Sequence, residues 1–323
     1  MKIAFTICNR DHLKNALCLG QSLLNFNPDY KFFIGWVDSV PLNNLPDWVE
    51  PIEVDSLKNS PWEEMADKYY EHELLAALKP FFIRELIHTY PEFEELIYLS
   101  PTTFILGPIE SVINKNSFIQ LTPHRTKPIG QSQSCDLDDK RILNIGMFTN
   151  GTIIIHPSNQ THSLLSWWEK RAVDRHYLDL CDGMAMDQLW LNYLPIYFNN
   201  VSVIQQVAWH FGLHSVIGST LKFHNEEYVV NDAPLISVEF AGIVDYHPIW
   251  SDHNRLTTND KDWINLKSLY LEQCDTYEKL CSFIGVSYGK KVRVKSYRNI
   301  RKKVVKVLSF IISSIKHFDL THN

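Results

Sequence analysis

Between residues 2 and 37, two short apolar runs flank a segment of helical spacing, and no other feature of the chain restricts the fold as sharply. Lys2–Cys8 (KIAFTIC) has strand length and empties into polar Asn9 and Arg10. Residues 11–26 then place Leu13, Ala16, Leu17, Gly20, Leu23 and Leu24 on one helical face. Residues 31–37 are a second apolar run, closed by Asp38. A strand, a helix and a strand in that order predict a parallel βαβ unit with a right-handed crossover, and so an α/β chain.

The rest of the sequence extends that scheme. Residues 55–70, with Pro61 and Trp62, read as a loop with a short helix, and residues 71–89 as a helix closed by Pro91. Glu95–Leu99 reads as a buried strand, followed by Ser100-Pro101-Thr102-Thr103 and a further apolar stretch at residues 104–106. Residues 117–121 and 147–156 are further strands. A helix over 158–173 has Ser158 as cap candidate, and its adjacent Trp167 and Trp168 diverge by about 100°, so that one faces the core. A short helix over 184–194 carries Asp187 and Gln188. Past Tyr197 the periodicity weakens, and no element is assigned before residue 264.

Charge divides the chain. Residues 289–323 hold ten Lys or Arg and one acid, Asp319, a balance of +9; the whole chain carries −6, leaving −15 for residues 1–288. The simplest division is one compact domain, 1–288, and a basic tail, 289–323. In the tail, Tyr297, Ile300, Val304, Val307, Leu308, Ile311 and Ile315 share a helical face, with Arg298, Arg301, Lys302, Lys303 and Lys306 opposite. That is the composition of an amphipathic helix drawn to an anionic membrane surface; packing on a partner protein suits the same face. Nucleic acid is disfavoured, because the acidic body offers no continuous basic surface. The opening apolar run is too short for a signal peptide, and no stretch of eighteen apolar residues occurs. The six cysteines form no CxxC pair, which argues against a zinc site or a disulfide framework. Together these features suggest a cytoplasmic protein held at the inner face of the plasma membrane. No GxGxxG follows the first strand, which disfavours a dinucleotide-dependent oxidoreductase.

Several short motifs, in order, carry a resemblance. They are Ala77-Leu78-Lys79-Pro80, Ile97-Tyr98-Leu99-Ser100-Pro101-Thr102, Leu121-Thr122-Pro123-His124 and Phe148-Thr149-Asn150-Gly151. Trp167-Trp168-Glu169, Met186-Asp187-Gln188-Leu189-Trp190, Val238-Glu239-Phe240-Ala241-Gly242 and Trp250-Ser251-Asp252-His253 follow. The chain resembles bacterial nucleotide-diphospho-sugar transferases of the GT-A fold and, more distantly, the glycogenin-like transferases. The resemblance implies a Rossmann-like mixed sheet flanked by helices, a nucleotide-diphosphate sugar donor (UDP-linked by preference) and a surface glycan or lipid-linked acceptor. Retention at the anomeric carbon follows from the glycogenin-like side alone.

Two departures bear on the chemistry. The family's Tyr-Leu-Asp-Pro-Asp holds a divalent cation through its two carboxylates; Ser100 and Thr102 stand in their places. The family's His-Phe-Ser-Gly appears as Glu239-Phe240-Ala241-Gly242. Neutral hydroxyls are poor ligands for Mg²⁺ or Mn²⁺, so no metal cofactor is expected. Cationic side chains must then offset the leaving diphosphate, and the candidates are Lys79, Arg10, His124, Arg125, Lys127, His253 and Arg255. The resemblance puts Lys79 beside the nucleotide and gives Thr6, Cys8, Asn9 and Arg10 to its base and ribose. It gives Asn150 and Gly151 to the sugar cleft and Asp187-Gln188 to the chemistry. Read alone, Asn150-Gly151 is more often a bulge than a site, Asp187 more often a cap or surface acid than a catalytic group, and the exit of the first strand equally an ordinary turn. A catalytically inactive nucleotide- or glycan-binding module of the same fold is the alternative.

Overall fold

The protein is described by a computed structural model covering residues 1–58, 60–128, 137, 139–281, 287–290 and 298–316. It divides into two compact units, Met1–Lys290 and Lys291–Asn323. Lys290 belongs to the first because its backbone is bonded to Tyr69 and Glu71.

The first unit opens with β1 (Lys2–Cys8), α1 (Leu13–Phe26), β2 (Tyr30–Trp36) and β3 (Val49–Glu53). Next come α2 (Trp62–Lys68), α3 (Glu71–Ala77), α4 (Lys79–Thr89), β4 (Glu95–Leu99), β5 (Thr103–Ile105) and β6 (Ile119–Pro123). α5 (Asp139–Ile145), β7 (Phe148–Ile155), α6 (Thr161–Ala172) and the short pair β8 (Leu178–Asp179) and β9 (Met184–Ala185) follow. The unit closes through α7 (Gln188–Leu191), α8 (Leu194–Tyr197), β10 (Val201–Val203), β11 (Leu221–His224), β12 (Glu227–Val230), β13 (Ala233–Pro234), β14 (Ser237–Glu239) and α9 (Lys261–Asp275).

Among the described residues, seven strands form one sheet in the order β10-β6-β7-β4-β1-β2-β3. β1, β2, β3 and β4 are mutually parallel, as are β6 and β10, while β7 runs antiparallel to both its neighbours. The chain is therefore α/β with a mixed, mostly parallel sheet flanked by helices. Alternation along β1 assigns the two faces. Ile3, Phe5 and Ile7 pack with Phe82 and Trp168 on the side of α4 and α6, and Ala4 and Cys8 pack with Leu13 and Leu17 of α1 on the other.

The long helix expected over 71–89 is two helices, parted at Leu78. Pro80 has no N–H to give to Ala76 and its ring crowds that carbonyl, so a new helix starts there with Lys79 in its first turn. The helix expected over 184–194 shrinks to α7, preceded by β9. Ser158 is not the cap of α6; Gln160 precedes the helix, and the Ser158 hydroxyl accepts from the Gln160 N–H. Trp168 is the fully buried member of its pair. β14, which no periodicity announces, pairs antiparallel with β5 and sets Glu239 opposite Thr103.

The second unit contains α10 (Arg298–Lys316), whose side chains are described for residues 303–315. Val304, Val305, Val307, Leu308, Phe310, Ile311, Ile312 and Ile315 are all exposed. Tyr297 of the expected apolar face lies outside the described residues. Among the described residues, no helix is long and apolar enough to cross a membrane.

Candidate active site

A cleft opens at the carboxyl ends of β1 and β4, where an α/β sheet offers a ligand its loops. Because β7 is reversed, its first residues lie beside the last residues of β4: Leu99 is opposite Thr152, and the Ser100 N–H donates to the Gly151 carbonyl over 2.7 Å. Thr149, Asn150 and Gly151 thus join Ser100, Pro101 and Thr102 in the lining. Lys79 reaches the same floor from the start of α4.

Lys79 is 2% exposed and is held three ways. Its ammonium lies 2.5 Å from Asp187 Oδ2, donates to the Asn150 carbonyl over 2.8 Å, and sits 4.3 Å from the Tyr98 ring centroid. Asn150 Nδ2 donates to Asp187 Oδ1 over 2.6 Å, closing a triangle. Burial pushes the Lys79 ammonium below its usual range, and Asp187 opposes that shift. Burial also raises the Tyr98 phenol well above its usual range. Asp187 precedes α7 without capping it, because its carboxylate is turned to Lys79.

Beside this triangle lies a floor of hydroxyls around one carboxylate. Ser100 Oγ and Thr102 Oγ1 are 3.1 Å apart, Thr102 donates to Glu239 Oε1, and Thr103 donates to Glu239 Oε2 over 3.3 Å. The Ala241 N–H donates to Oε1 over 2.9 Å. Burial pushes the Glu239 carboxyl up, against the hydrogen bonds from Thr102, Ala241, Ser100 and Thr103. His210 Nε2 lies 3.5 Å from Glu239 Oε2. From His210 a chain of rings continues, stacked on His214 at 5.7 Å, with His124 5.4 Å from His214 and Trp250 5.2 Å from His124. Burial pushes His210 and His214 down to about 3, so these imidazoles are neutral. Gly151 must be a glycine for this packing, since a Cβ there would meet His210 Nε2 at 2.6 Å.

Of the residues expected at the site, Lys79, Ser100, Thr102, Asn150 and Gly151 line the cleft together, and Asp187 sits fully buried behind Lys79 and Asn150. The others do not line it. Thr6 and Cys8 are buried on the opposite side of β1 from Ile7, the residue of that strand that reaches the cleft. Asn9 spends its side chain on the Asp11 N–H, over 3.2 Å. Arg10 is paired with Asp38 through two guanidinium nitrogens and its own backbone N–H. Gln188 Nε2 donates to the Ile145 carbonyl over 2.7 Å. His253 is buried on the 3-10 turn Ser251–Leu256. His12, His72, Asp245 and His247 line the cleft without a sequence signal to single them out. Glu239 was visible as a substitution in a family pattern, but its partners depend on β14.

Comparison with known proteins adds the following. No protein-family model matches the chain. It is similar to the uncharacterized protein YfnF of Bacillus subtilis (strain 168), 22% identical over 266 residues, which cover 79% of this chain and 86% of that protein. Among solved structures, the galactosyltransferase LgtC in complex with donor and acceptor sugar analogues superposes with a TM-score of 0.49 at 12% identity, over 87% of this chain and 100% of that one. The glycosyltransferase GlyE of Streptococcus pneumoniae TIGR4 gives 0.46 at 10% identity, over 91% and 67%. At such identities neither likeness speaks to substrate.

Proposed function

We propose that this chain is a GT-A type glycosyltransferase that moves a sugar from a nucleotide-diphosphate donor, UDP-linked by preference, to a surface glycan or lipid-linked acceptor. The observation that carries the reading is Lys79. A buried ammonium at the floor of a cleft, beyond the strand ends, puts fixed positive charge where a leaving diphosphate gathers negative charge. Asp187 and Asn150 hold it there, so their part is to position the cation and shape the floor. Ser100, Thr102 and Asn150 supply hydrogen bonds to the donor from the same floor. Retention at the anomeric carbon is proposed on the family resemblance alone.

The residues present do not fit the divalent cation that the family uses. Two of its expected ligands are the hydroxyls of Ser100 and Thr102, and Glu239 already accepts from Thr102, Thr103 and the Ala241 N–H. Donor binding is therefore metal-independent in this proposal. Titration of UDP-glucose by calorimetry, in EDTA and in excess Mn²⁺, with UDP release followed alongside, tests both halves. Equal affinity under the two conditions and slow UDP release are expected; a large gain with Mn²⁺ removes the metal-independent reading. The second reading, a binding module without turnover, is favoured by the complete enclosure of Asp187, and donor binding without any UDP release would establish it.

The tail is proposed to hold the enzyme on an anionic membrane. α10 exposes a broad apolar face from Val304 to Ile315, next to Lys303 and Lys306. Each basic residue near such a surface contributes about 1 kcal/mol. Co-sedimentation with anionic liposomes should be weakened by salt and lost on truncation after Lys290, while the shortened protein stays folded. Early melting of the truncated form would instead make the tail a packed structural helix.

A further inference from the structure

A second cavity, of about 200 Å³, shares His214 with the cleft and is lined by Thr122, His124, Arg125, Lys127 and Trp209 among others. We propose that it seats the acceptor, and that the acceptor sugar it seats carries an anionic group, a carboxylate or a phosphate. This rests on the donor reading of the neighbouring cleft.

Charge is the first ground. Among the described residues, the lining holds two full cations, Arg125 and Lys127, and no acid. In a body whose net charge is −15, a cavity walled in this way stands apart from its surroundings. Arg125 also donates through Nη2 to the Leu137 carbonyl, and a guanidinium and an ammonium in one lining suit a carboxylate or phosphate, which takes several N–H donors at once.

The neutral groups are the second ground, because their hydrogen-bonding roles are fixed. Trp209 Nε1 donates to Thr122 Oγ1 over 2.9 Å, which leaves the Thr122 O–H as a donor. His124 Nδ1 lies 2.9 Å from the Gly146 carbonyl, so that nitrogen carries the proton and Nε2 is an acceptor. Nε2 is buried and has no partner among the described residues. Burial holds His124 well below the usual imidazole range, so the acceptor role persists at neutral pH. A free acceptor and a free donor next to two cations match a sugar hydroxyl beside an anionic substituent. They do not match a bare apolar guest, which would leave both polar atoms unpaired.

Position is the third ground. His214 forms a wall common to the two cavities, so a sugar in the second lies next to the donor in the first. His124, Arg125 and Lys127, which as sequence were candidates for the diphosphate, belong to the neighbouring cavity instead.

The test uses the full chain and three probes of one skeleton: glucose, glucuronate and glucose 6-phosphate. Each is titrated with and without saturating UDP, by ligand-observed NMR or calorimetry. At least one anionic sugar should bind in the presence of UDP, tenfold or more tighter than glucose, and Lys127→Gln should weaken it at least fivefold. Glucuronate alone would assign a carboxylate, and glucose 6-phosphate alone a phosphate. Binding of glucose as tightly as either anion overturns the proposal, as does displacement of the anionic sugar by UDP or indifference to Lys127→Gln. UDP is read separately in every titration, so a failure of the donor reading shows as absent UDP binding. Because Lys127 is exposed, the substitution leaves the core intact.

Discussion

The ends of β1 and β4 lie at the same edge of the sheet, each with a buried cation paired to a carboxylate, yet only the second cation borders the cleft. At β1, Arg10 grips Asp38 in a fork and adds a bond to Ser39, and neither Arg10 nor Asp38 lines the cleft. At β4, Lys79 is a point charge divided between Asp187, a backbone carbonyl and an aromatic face, and it borders the cleft. The two cations differ in where they stand, since Lys79 is part of the cleft lining and Arg10 is not. Position against the cleft, rather than the presence of a buried ion pair, separates a structural clasp from a candidate site.

Acid should separate the two regions most strongly. His210, His214 and His247 near the β4 end are pushed down to about 3 by burial, from an unfolded value of about 6.5. Below pH 6.5 the unfolded chain therefore takes up protons that the folded chain refuses. Stability must fall as pH drops toward 3, by up to about 1.4 kcal/mol per pH unit for each ring. Asp38 behaves in a later window. Burial pushes its carboxyl up, but the side chain and N–H of Arg10 and the Val40 N–H outweigh this and hold it below the usual range. Its contribution is complete above about pH 4 and is lost as pH falls through the folded value. Denaturant titrations from pH 7.5 to 4.5 should show the first loss, and His214→Phe should make it shallower; a flat profile would contradict the neutral ring cluster.

Breaking either ion pair comes next. Asp38→Ala and Lys79→Met each strand a buried charge and should cost about 3–5 kcal/mol in chemical denaturation. The comparison is sharpened by the double variant Lys79→Met with Asp187→Leu. It should regain much of the lost stability without regaining UDP binding, while Asp38→Ala should keep UDP binding at temperatures where it remains folded. Restored UDP binding in the double variant would show that the Lys79 charge serves only the fold. The smallest effect is that of Gly151→Ala, whose methyl group must displace His210 or the Glu239 carboxylate. A cost of about 1–3 kcal/mol is expected from overpacking, and a neutral result would mean that the ring cluster yields freely.

What the sequence made legible followed from local rules. The βαβ opening, the existence of the central strands and the convergence of Lys79, Ser100, Thr102, Asn150 and Gly151 all rest on segments with clear periodicity or recognisable motifs. Thr6 and Cys8 show where such reasoning slipped: the exit of β1 is near the cleft, but strand alternation turns those two side chains toward α1 and leaves Ile7 at the site. Gln188 follows Asp187 in sequence but points to the Ile145 carbonyl, since neighbours on a helical turn diverge. The partners of Glu239 and the ring cluster were not legible at all. They depend on the pairing of β14 with β5 and on a stretch, residues 198–260, made of short strands and turns with no period to follow.

The reversal of β7 has a consequence for how such a protein can change. β6 ends and β7 begins at the same edge of the sheet, tied by the bond from the His124 N–H to the Met147 carbonyl. The chain thus leaves the sheet after His124 and returns to it at Met147, beside the point of departure. It supplies Arg125 and Lys127 to one cavity, and its return delivers Thr149, Asn150 and Gly151 to the other. The connection is thus held to the sheet at both ends, and exchanges at Arg125 and Lys127 can retune the second cavity without reopening the sheet or disturbing Lys79.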